Sequence, residues 1–233
     1  MPASAQGVFG VRFDLARAYA DLLVSEGELR GLIGPRELPR LWERHLLNCA
    51  VISELIPEGS RVADIGSGAG LPGLVVAIRR PDLELTLIEP MARRTDFLSE
   101  AVAALELDNV TVLRARADDV SDEVFDVVTS RAVAPLDRLG RWSLPLVVSG
   151  GVMLAMKGSS AADEVRTHAR ALQRAGAGAI EVSRVGQDVV ELPVTVVCVH
   201  KAAGSRAGRS NGHPSGKSAG QRGRNGRAAD GRR

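Results

Sequence analysis

The sequence predicts an α/β fold in which a doubly wound, mostly parallel sheet of seven strands follows an N-terminal helical extension. Two observations lead to this prediction. From Arg61 onward, short apolar runs typical of buried strands alternate with helix-like segments. The last two apolar runs are separated by too few residues for a right-handed crossover helix, so the final strand should run antiparallel to its neighbours.

The extension is predicted over residues 1–57, which contain no strand-like run. A first helix is indicated around residues 13–23, and a break at residues 31–35 precedes a second helix. The second helix should present one apolar face, made by Leu38, Leu41, Trp42, His45, Leu46, Cys49 and Ile52. Since His45 lies on or beside this face, it could be a packed core histidine.

The main domain is predicted over residues 58–202. Its strands are expected at residues 61–65, 83–89, 110–115, 125–130, 152–156, 179–185 and 193–199. Beyond it, residues 203–233 are rich in Gly, Ser and Arg and should be disordered, because they cannot bury a core. This tail could tether RNA non-specifically or be a dispensable extension.

Composition and charge narrow the class of protein. Of 233 residues, 45% are hydrophobic and 25% charged, as in a globular domain. No stretch is long and apolar enough to span a bilayer and no signal peptide is evident, which predicts a cytoplasmic protein without a membrane partner. Cys49 and Cys198 imply no disulfide framework and no metal-ligand spacing. Residues 201–233 carry nine basic side chains against one acid, whereas residues 1–200 carry 21 against 27, so an anionic partner such as RNA is expected.

A glycine-rich turn follows the first predicted strand and is the best candidate for a binding site. Asp64 closes that strand, alternating glycines follow, and Pro72 is expected to be the first helical residue. Glycine lets the backbone approach a ligand closely at the start of a helix. The segment from Gly68 to Gly73 also matches the dinucleotide fingerprint, which alone is a weak signal, and a purely structural turn is the bland alternative.

A second frame of the same loop is more informative. The Asp64-x-Gly66-x-Gly68-x-Gly70 pattern resembles the first motif of class I S-adenosylmethionine-dependent methyltransferases, a Rossmann-like fold with one antiparallel last strand. In that family the loop wraps the methionine half of the cofactor, and the acid helps to hold its amino group. A pyrophosphate fits less well, because Pro72 offers no N–H donor. Glu89 closes the next strand about 20 residues on, where an acid meets a ribose diol in both cofactor classes.

Further candidates lie where later strands end. Ala117 and Asp118 follow the third strand, close to where class I methyltransferases hold adenine, although Asp118 could simply begin a helix. Arg131 and Lys157 close the fourth and fifth strands and should point at the site, unless they form structural ion pairs with acids such as Asp64 or Glu89.

Arg93 and Arg94 lie in the first turn of a helix that begins beside the site. Cations are unfavourable at this end of a helix, so these two side chains either are solvated or face an anion such as phosphate. Aromatic residues are 3% of the chain, and Tyr19, Trp42 and Trp142 are expected in the core rather than stacked on bases.

Taken together, the motifs resemble the small-subunit ribosomal RNA methyltransferase G family, also called glucose-inhibited division protein B. The matching segments are Arg44-His45-Leu46-Leu47-Asn48, the glycine loop continued by Leu71-Pro72-Gly73, Glu89-Pro90 with Arg93-Arg94, Arg116-Ala117-Asp118, Ser130-Arg131-Ala132 and Lys157-Gly158. Asn48 and Asp118 stand where the family usually has Asp and Glu, and the tail has no counterpart.

The resemblance implies methyl transfer from S-adenosyl-L-methionine to guanine N7, at family position 527 in the 530 loop of 16S ribosomal RNA, with the small ribosomal subunit or its precursor as partner. It implies cofactor contacts by Gly66, Leu71, Ala117, Asp118 and Arg131, to which the loop chemistry adds Asp64, Gly68, Gly70 and Glu89. Arg131 and Lys157 are the candidate catalytic residues, and Arg44, His45, Arg93, Arg94 and Lys157 the candidate RNA contacts. The enzyme is expected to be a monomer without a metal ion.

Two alternatives stay open. A methyltransferase acting on another RNA or on a small molecule would share the loop, although a small-molecule enzyme usually adds a lid over its pocket. An NAD-dependent oxidoreductase would need a catalytic Tyr or His, yet the only tyrosine, Tyr19, precedes the loop domain. Guanine N7 bears no proton, so the methyl transfer to guanine N7 that the resemblance implies needs no general base.

Overall fold

The computed structural model describes residues 2–204, so the predicted tail lies outside the described residues from position 205 onward. Seven strands form one sheet. They are β1 (Arg61–Ile65), β2 (Glu84–Ile88), β3 (Val110–Leu113), β4 (Phe125–Arg131), β5 (Val147–Lys157), β6 (Ala177–Val185) and β7 (Val194–Lys201). The predicted order of strands along the chain is confirmed.

The sheet has the strand order β3-β2-β1-β4-β5-β7-β6. β1 pairs in parallel with both β2 and β4, and β7 runs antiparallel to both β5 and β6. The mostly parallel sheet with an antiparallel last strand is therefore confirmed. The strand order reverses between β1 and β4, and ligands of such sheets bind beyond the carboxyl ends of the strands at this point.

Seven α-helices surround the sheet in the described residues. They are α1 (Ser4–Phe9), α2 (Phe13–Glu26), α3 (Asn48–Val51), α4 (Gly73–Arg79), α5 (Ala92–Ala104), α6 (Leu136–Ser143) and α7 (Ala161–Arg174). One apolar core packs α4, α5 and the N-terminal helices against the first face of the sheet, and a second core packs α6 and α7 against the other. No helix within residues 2–204 is long and apolar enough to cross a membrane.

Two local predictions were wrong in detail. Pro72 precedes α4 instead of opening it. The second predicted helix of the extension is a continuous helical run whose winding changes along its length: a 3-10 turn (Leu38–Arg40), a π-helical segment (Leu41–Leu47), α3 and a second 3-10 turn (Ile52–Leu55). The apolar spacing indicated a helix, but it does not report how tightly the backbone is wound.

Two arginines at the end of α4 fasten this helical run to the main domain. Arg79 donates to the carbonyl oxygen of Ala50 at 2.6 Å, and Arg80 donates to those of Ser53 and Ile56 at 3.0 and 3.1 Å. These carbonyls lie at the C-terminal end of the run, and those of Ala50 and Ser53 also accept hydrogen bonds from within the run. The guanidinium groups add donors from α4 to these oxygens and so fix the extension against α4.

Asp82 holds Arg80 in this position. Its carboxylate accepts two hydrogen bonds from Arg80, both at 2.7 Å, and one from the Gly59 N–H at 3.1 Å. The hydrogen bonds from Arg80 lower the pKa of Asp82 to about 2. Its contribution to stability is thus present above the ordinary carboxyl pKa of 3.8 and is lost as the pH falls through about 2.

We expect Asp82→Asn to lower the free energy of unfolding by about 1 kcal/mol at pH 6, because it breaks a partly exposed, bidentate ion pair. The loss should be smaller at pH 3, where Asp82 contributes less in the wild type. Urea unfolding at both pH values measures it. Asp14→Asn, in an exposed pair with Arg17, is the control and should change little. An equal loss at both pH values would contradict the assigned ion pair.

Candidate functional site

The glycine loop between β1 and α4 is built around one buried carboxylate. Asp64 is fully buried at the end of β1, and its Oδ2 accepts a hydrogen bond from the Gly73 N–H at 3.0 Å. A side chain at Gly73 is impossible without movement, since its Cβ would lie 2.3 Å from Leu87 Cδ2 and 2.7 Å from Asp64 Oδ2. This contact sets where α4 begins.

Within the loop, most backbone N–H groups are used internally. The N–H groups of Gly66 and Gly70 donate to the carbonyl oxygens of Ile88 and Ser67, and that of Gly68 donates to Glu89 Oε2. These groups cannot cradle a pyrophosphate, so the loop geometry argues against a dinucleotide. Gly70 has a φ of 92°, and a Cβ there would meet the Tyr19 hydroxyl at 2.9 Å. Gly70 thus allows a tight turn that packs closely against Tyr19 and Leu74.

Tyr19 connects the extension to this loop. Its hydroxyl donates to the carbonyl oxygen of Ala69 at 2.6 Å, and its side chain is completely buried. The expectation that Tyr19 belongs to the core is confirmed.

A cavity of about 600 Å³, here called the first cavity, opens over the loop. Nine of the predicted residues line it: Gly66, Gly68, Leu71, Glu89, Ala117, Asp118, Arg131, His45 and Arg94. Asp64, which is buried beneath the loop, and Gly70, which is part of the loop, do not border this cavity among the described residues. The predicted loop, ribose acid and third-strand residues therefore meet at one place.

A larger space of about 1300 Å³, here called the second groove, adjoins the first cavity. Glu37, Arg131, Ala132 and Val133 border both spaces. Arg44 and Lys157 border the second groove only, and Arg93 is exposed on α5 outside both. Ala132 has a positive φ of 53°, which is uncommon for a residue with a side chain and often marks functional sites.

Several predicted cations are paired with acids. Lys157 Nζ donates to Glu164 Oε2 and to the Ala134 carbonyl oxygen, both at 2.8 Å. Arg94 lies 3.5 Å from Glu89 Oε2, although its Nε is buried without a partner. Asp118 accepts a hydrogen bond from Arg116, which lowers its pKa. The ion pairs considered for Lys157 thus involve Glu164 rather than Asp64 or Glu89.

Sequence reasoning missed part of the site. Leu32 and Ile33, from the loop after α2, line the first cavity, and so do Arg116 and Trp142. Trp142 was expected in the core but borders this cavity and packs against Arg138. Trp42 is half-buried and packs against Phe9 and Phe13. No periodic pattern distinguishes a helix residue at a cavity rim from one in the core, so only the structure shows that Trp142 borders the cavity.

The residues fit S-adenosylmethionine. Asp64 Oδ1 is buried without a hydrogen-bond partner, which suits a nearby ammonium group. Glu89 is buried at the cavity wall, and its oxygens retain lone pairs for hydroxyl donors besides their bonds to Gly68 and Met91. Within residues 2–204 no group of three or more His, Cys, Asp or Glu side chains is placed to hold a metal ion.

Comparison with known proteins agrees with this fit. A family model described as rRNA small subunit methyltransferase G matches residues 12–192. The ribosomal RNA small subunit methyltransferase G of Salinispora arenicola is 58% identical over 209 residues, covering 86% of each chain. That of Streptomyces avermitilis is 56% identical over 200 residues, covering 85% of this chain and 84% of the relative.

Solved structures share the fold at low identity. A putative S-adenosyl-L-methionine-dependent methyltransferase from Methanococcus maripaludis has a TM-score of 0.52 and 15% identity, covering 67% of this chain and 85% of its own. Precorrin-6y C5,15-methyltransferase from Geobacter metallireducens has a TM-score of 0.50 and 17% identity, covering 73% and 90%. The expected methyltransferase fold is thereby confirmed.

Asp64 should give the protein a characteristic pH dependence. Burial raises the pKa of Asp64 from 3.8 to about 7, so the folded protein keeps this proton at pH values at which the unfolded chain has lost it. The free energy of unfolding therefore falls as the pH rises from 3.8 through about 7. We expect the stability of the wild type to fall relative to Asp64→Asn between pH 5.5 and pH 8, in urea unfolding without ligand.

Asp126→Asn is the matched control. Asp126 is exposed and accepts a hydrogen bond from the Arg61 N–H, so this variant makes the same change from carboxylate to amide without involving a buried group. If wild type and Asp64→Asn kept a constant difference in stability across this range, the raised pKa would be refuted.

Trp142 should report binding in the first cavity. S-adenosylhomocysteine, used as the probe, is expected to quench tryptophan fluorescence saturably, because an adenine ring in the cavity would lie near this indole. Trp42→Phe should keep the quenching and Trp142→Phe should lose it, while calorimetry confirms that both variants still bind. Quenching that disappears in Trp42→Phe instead would show that the cavity is misassigned.

Proposed function

Because this chain belongs to the ribosomal RNA small subunit methyltransferase G family, we propose that it methylates guanine N7 in the 530 loop of 16S ribosomal RNA, at family position 527. The chain is an S-adenosylmethionine-dependent methyltransferase. The position, the acceptor atom and the mechanism are the proposal. We infer further that it acts as a cytoplasmic monomer on the small subunit or its precursor.

The observation that carries the proposal is the junction of the two spaces. The first cavity has the loop and the acids that suit the methyl donor, and the second groove meets it at Arg131, Ala132 and Val133. A base entering from the second groove would reach the donor at this junction. The residues proposed to hold the cofactor are Asp64, Gly66, Gly68, Gly70, Leu71, Glu89, Ala117, Asp118 and Arg131.

The proposed reaction requires no proton transfer by the protein. The bound cofactor supplies an electrophilic methyl group on a sulfonium, and guanine N7 offers a lone pair with no proton to remove. The chain's residues therefore need to align the base, exclude water and hold the charges in place. Such positioning is able to supply roughly 7 to 11 kcal/mol in favourable cases.

Arg131 must leave the nucleophile free. A bidentate arginine on guanine O6 and N7, common in DNA recognition, would block N7. We propose that Arg131 contacts O6 or a neighbouring phosphate. Lys157, held by Glu164 and Ala134 at the side of the second groove, would act through the field of its charge unless RNA displaces Glu164.

The RNA is proposed to lie along the second groove. Arg44 and Lys157 border it, whereas Arg93 and Arg94 lie in the first turn of α5, beside the first cavity. We propose the division into a helical extension (1–57), a methyltransferase domain (58–202) and a basic tail (203–233), in which the extension takes part in binding RNA.

Labelled methyl transfer to small subunits from a strain lacking this protein tests the proposal. We expect label on a single guanine, identified by strand scission at N7-methylguanine in the 530 loop. Label on another RNA position, or methylation only of small molecules, would favour the alternative that the enzyme has a different acceptor.

Arg131→Ala and Arg131→Lys should each lower kcat roughly 10²-fold, because neither retains the planar fork that aligns the base. Arg166→Ala, in an exposed pair on α7, is the control and should match the wild type. Thermal unfolding separates lost activity from lost folding. A rate in Arg131→Lys equal to that of the wild type would contradict the role given to the guanidinium.

A further inference from the structure

The guanidinium of Arg131 is held by the N-terminal extension. Its Nη2 lies 2.8 Å from His45 Nδ1 and donates to the carbonyl oxygen of Arg44 at 3.2 Å, while its Nη1 lies 3.4 Å from Cys49 Sγ. All three partners belong to the helical run of the extension. The side chain at the junction of the two spaces is thus oriented by a segment distant in sequence.

The chemistry of these contacts fixes the state of His45. Arginine can only donate hydrogen bonds, so His45 Nδ1 must be the acceptor and the ring proton must lie on Nε2. Nε2 then donates to Glu37 Oε2 at 2.9 Å. Burial and the charge of Arg131 lower the pKa of His45, in agreement with a neutral ring.

Glu37 completes the chain of contacts. Its second oxygen, Oε1, lies 3.5 Å from Arg44 Nη1, and its side chain borders both the first cavity and the second groove. Glu37, His45 and Arg131 therefore form a continuous row across the junction. Both ring nitrogens of His45 are occupied, so this side chain has no free polar group for RNA and can act on it only through Arg131.

The backbone that presents His45 is unusual. Leu41–Leu47, which includes Arg44 and His45, is wound as a π-helix between a 3-10 turn and α3. Extended π-helical winding is rare and is concentrated at functional sites, because it costs stability relative to an α-helix. Two of the three residues that contact Arg131, namely Arg44 and His45, lie in this segment.

We propose that His45 and Glu37 are positioning residues, which hold the Arg131 guanidinium at the junction of the first cavity and the second groove so that acceptor base and methyl donor are aligned. This inference rests on the proposed function, since Arg131 is taken to contact the acceptor. In this role the position of the acceptor atom that meets Arg131 matters more than its charge.

Two amide substitutions of His45 distinguish the roles of its two ring nitrogens. In His45→Asn the amide oxygen takes the place of Nδ1 and still accepts from Arg131, whereas in His45→Gln the amide reaches the place of Nε2 and leaves Arg131 without this acceptor. We expect His45→Ala and His45→Gln to lower kcat on small subunits on the order of 10- to 100-fold with a smaller change in KM. His45→Asn should rescue most of the turnover lost in His45→Ala. Equal losses in the Asn and Gln variants would overturn the proposal.

A double-mutant cycle tests the alternative that His45 only stabilises the fold. In an Arg131→Ala background there is no guanidinium to position, so adding His45→Gln should cause no further loss of kcat. A loss that persists in this background overturns the proposal. Thermal unfolding of each variant identifies any that fails to fold.

The role of Glu37 is tested in the same way. Glu37→Gln keeps an acceptor for His45 Nε2 and should lose less activity than Glu37→Ala.

The proposal and the proposed function fail in different ways. If wild-type enzyme does not label guanine N7, the proposed function is wrong. Long-range ¹H–¹⁵N NMR of the His45 ring still tests the geometry, with Nδ1 expected to be unprotonated in the wild type. A proton found on Nδ1 would overturn the positioning role whatever the acceptor.

Discussion

The close contact between Asp64 and Gly73 is the constraint on which the rest of the site depends. It joins the end of β1 to the start of α4, and no side chain fits at position 73. The intervening residues must therefore turn within a short span. Glu89, which follows the neighbouring strand, then accepts a hydrogen bond from the Gly68 N–H at 3.0 Å, so this acid and the loop are fixed to each other before any ligand binds. Such preorganisation reduces the entropy that is lost when a ligand binds and orders the site.

The N-terminal extension is part of this site, although it precedes the first strand. Tyr19 supports the loop at Ala69, Arg79 and Arg80 hold the helical run against α4, and His45 contacts Arg131. In the proposed function, the sheet and loop place the methyl donor, while the extension places Arg131, the group proposed to meet the acceptor. Loss of packing in the extension would disturb the junction of the two spaces even if the sheet remained intact.

Periodicity and strand-end chemistry predicted much of this arrangement. The bounds of β1 were predicted to the residue, and the reversed last strand followed from the short link before it. Residues at strand ends were predictable because parallel strands converge at one edge. The pair formed by Arg131 and His45 was not, since it joins residues 86 positions apart and depends on the winding of the π-helical segment, which leaves no mark in the apolar spacing. Trp142 was missed for a related reason: the sequence marks it as apolar but does not show that α6 ends at a cavity.

The charges of the site bear on how it would bind RNA. Arg44, Arg94 and Lys157 each lie within 3.5 Å of an acid, namely Glu37, Glu89 and Glu164. Within residues 2–204, Arg93 makes no ion pair. A phosphate would have to compete with these carboxylates, so the favourable charge interaction gained per contact is smaller than for a free cation. In the proposed function, selectivity comes from the alignment of one base at Arg131, where the two spaces meet.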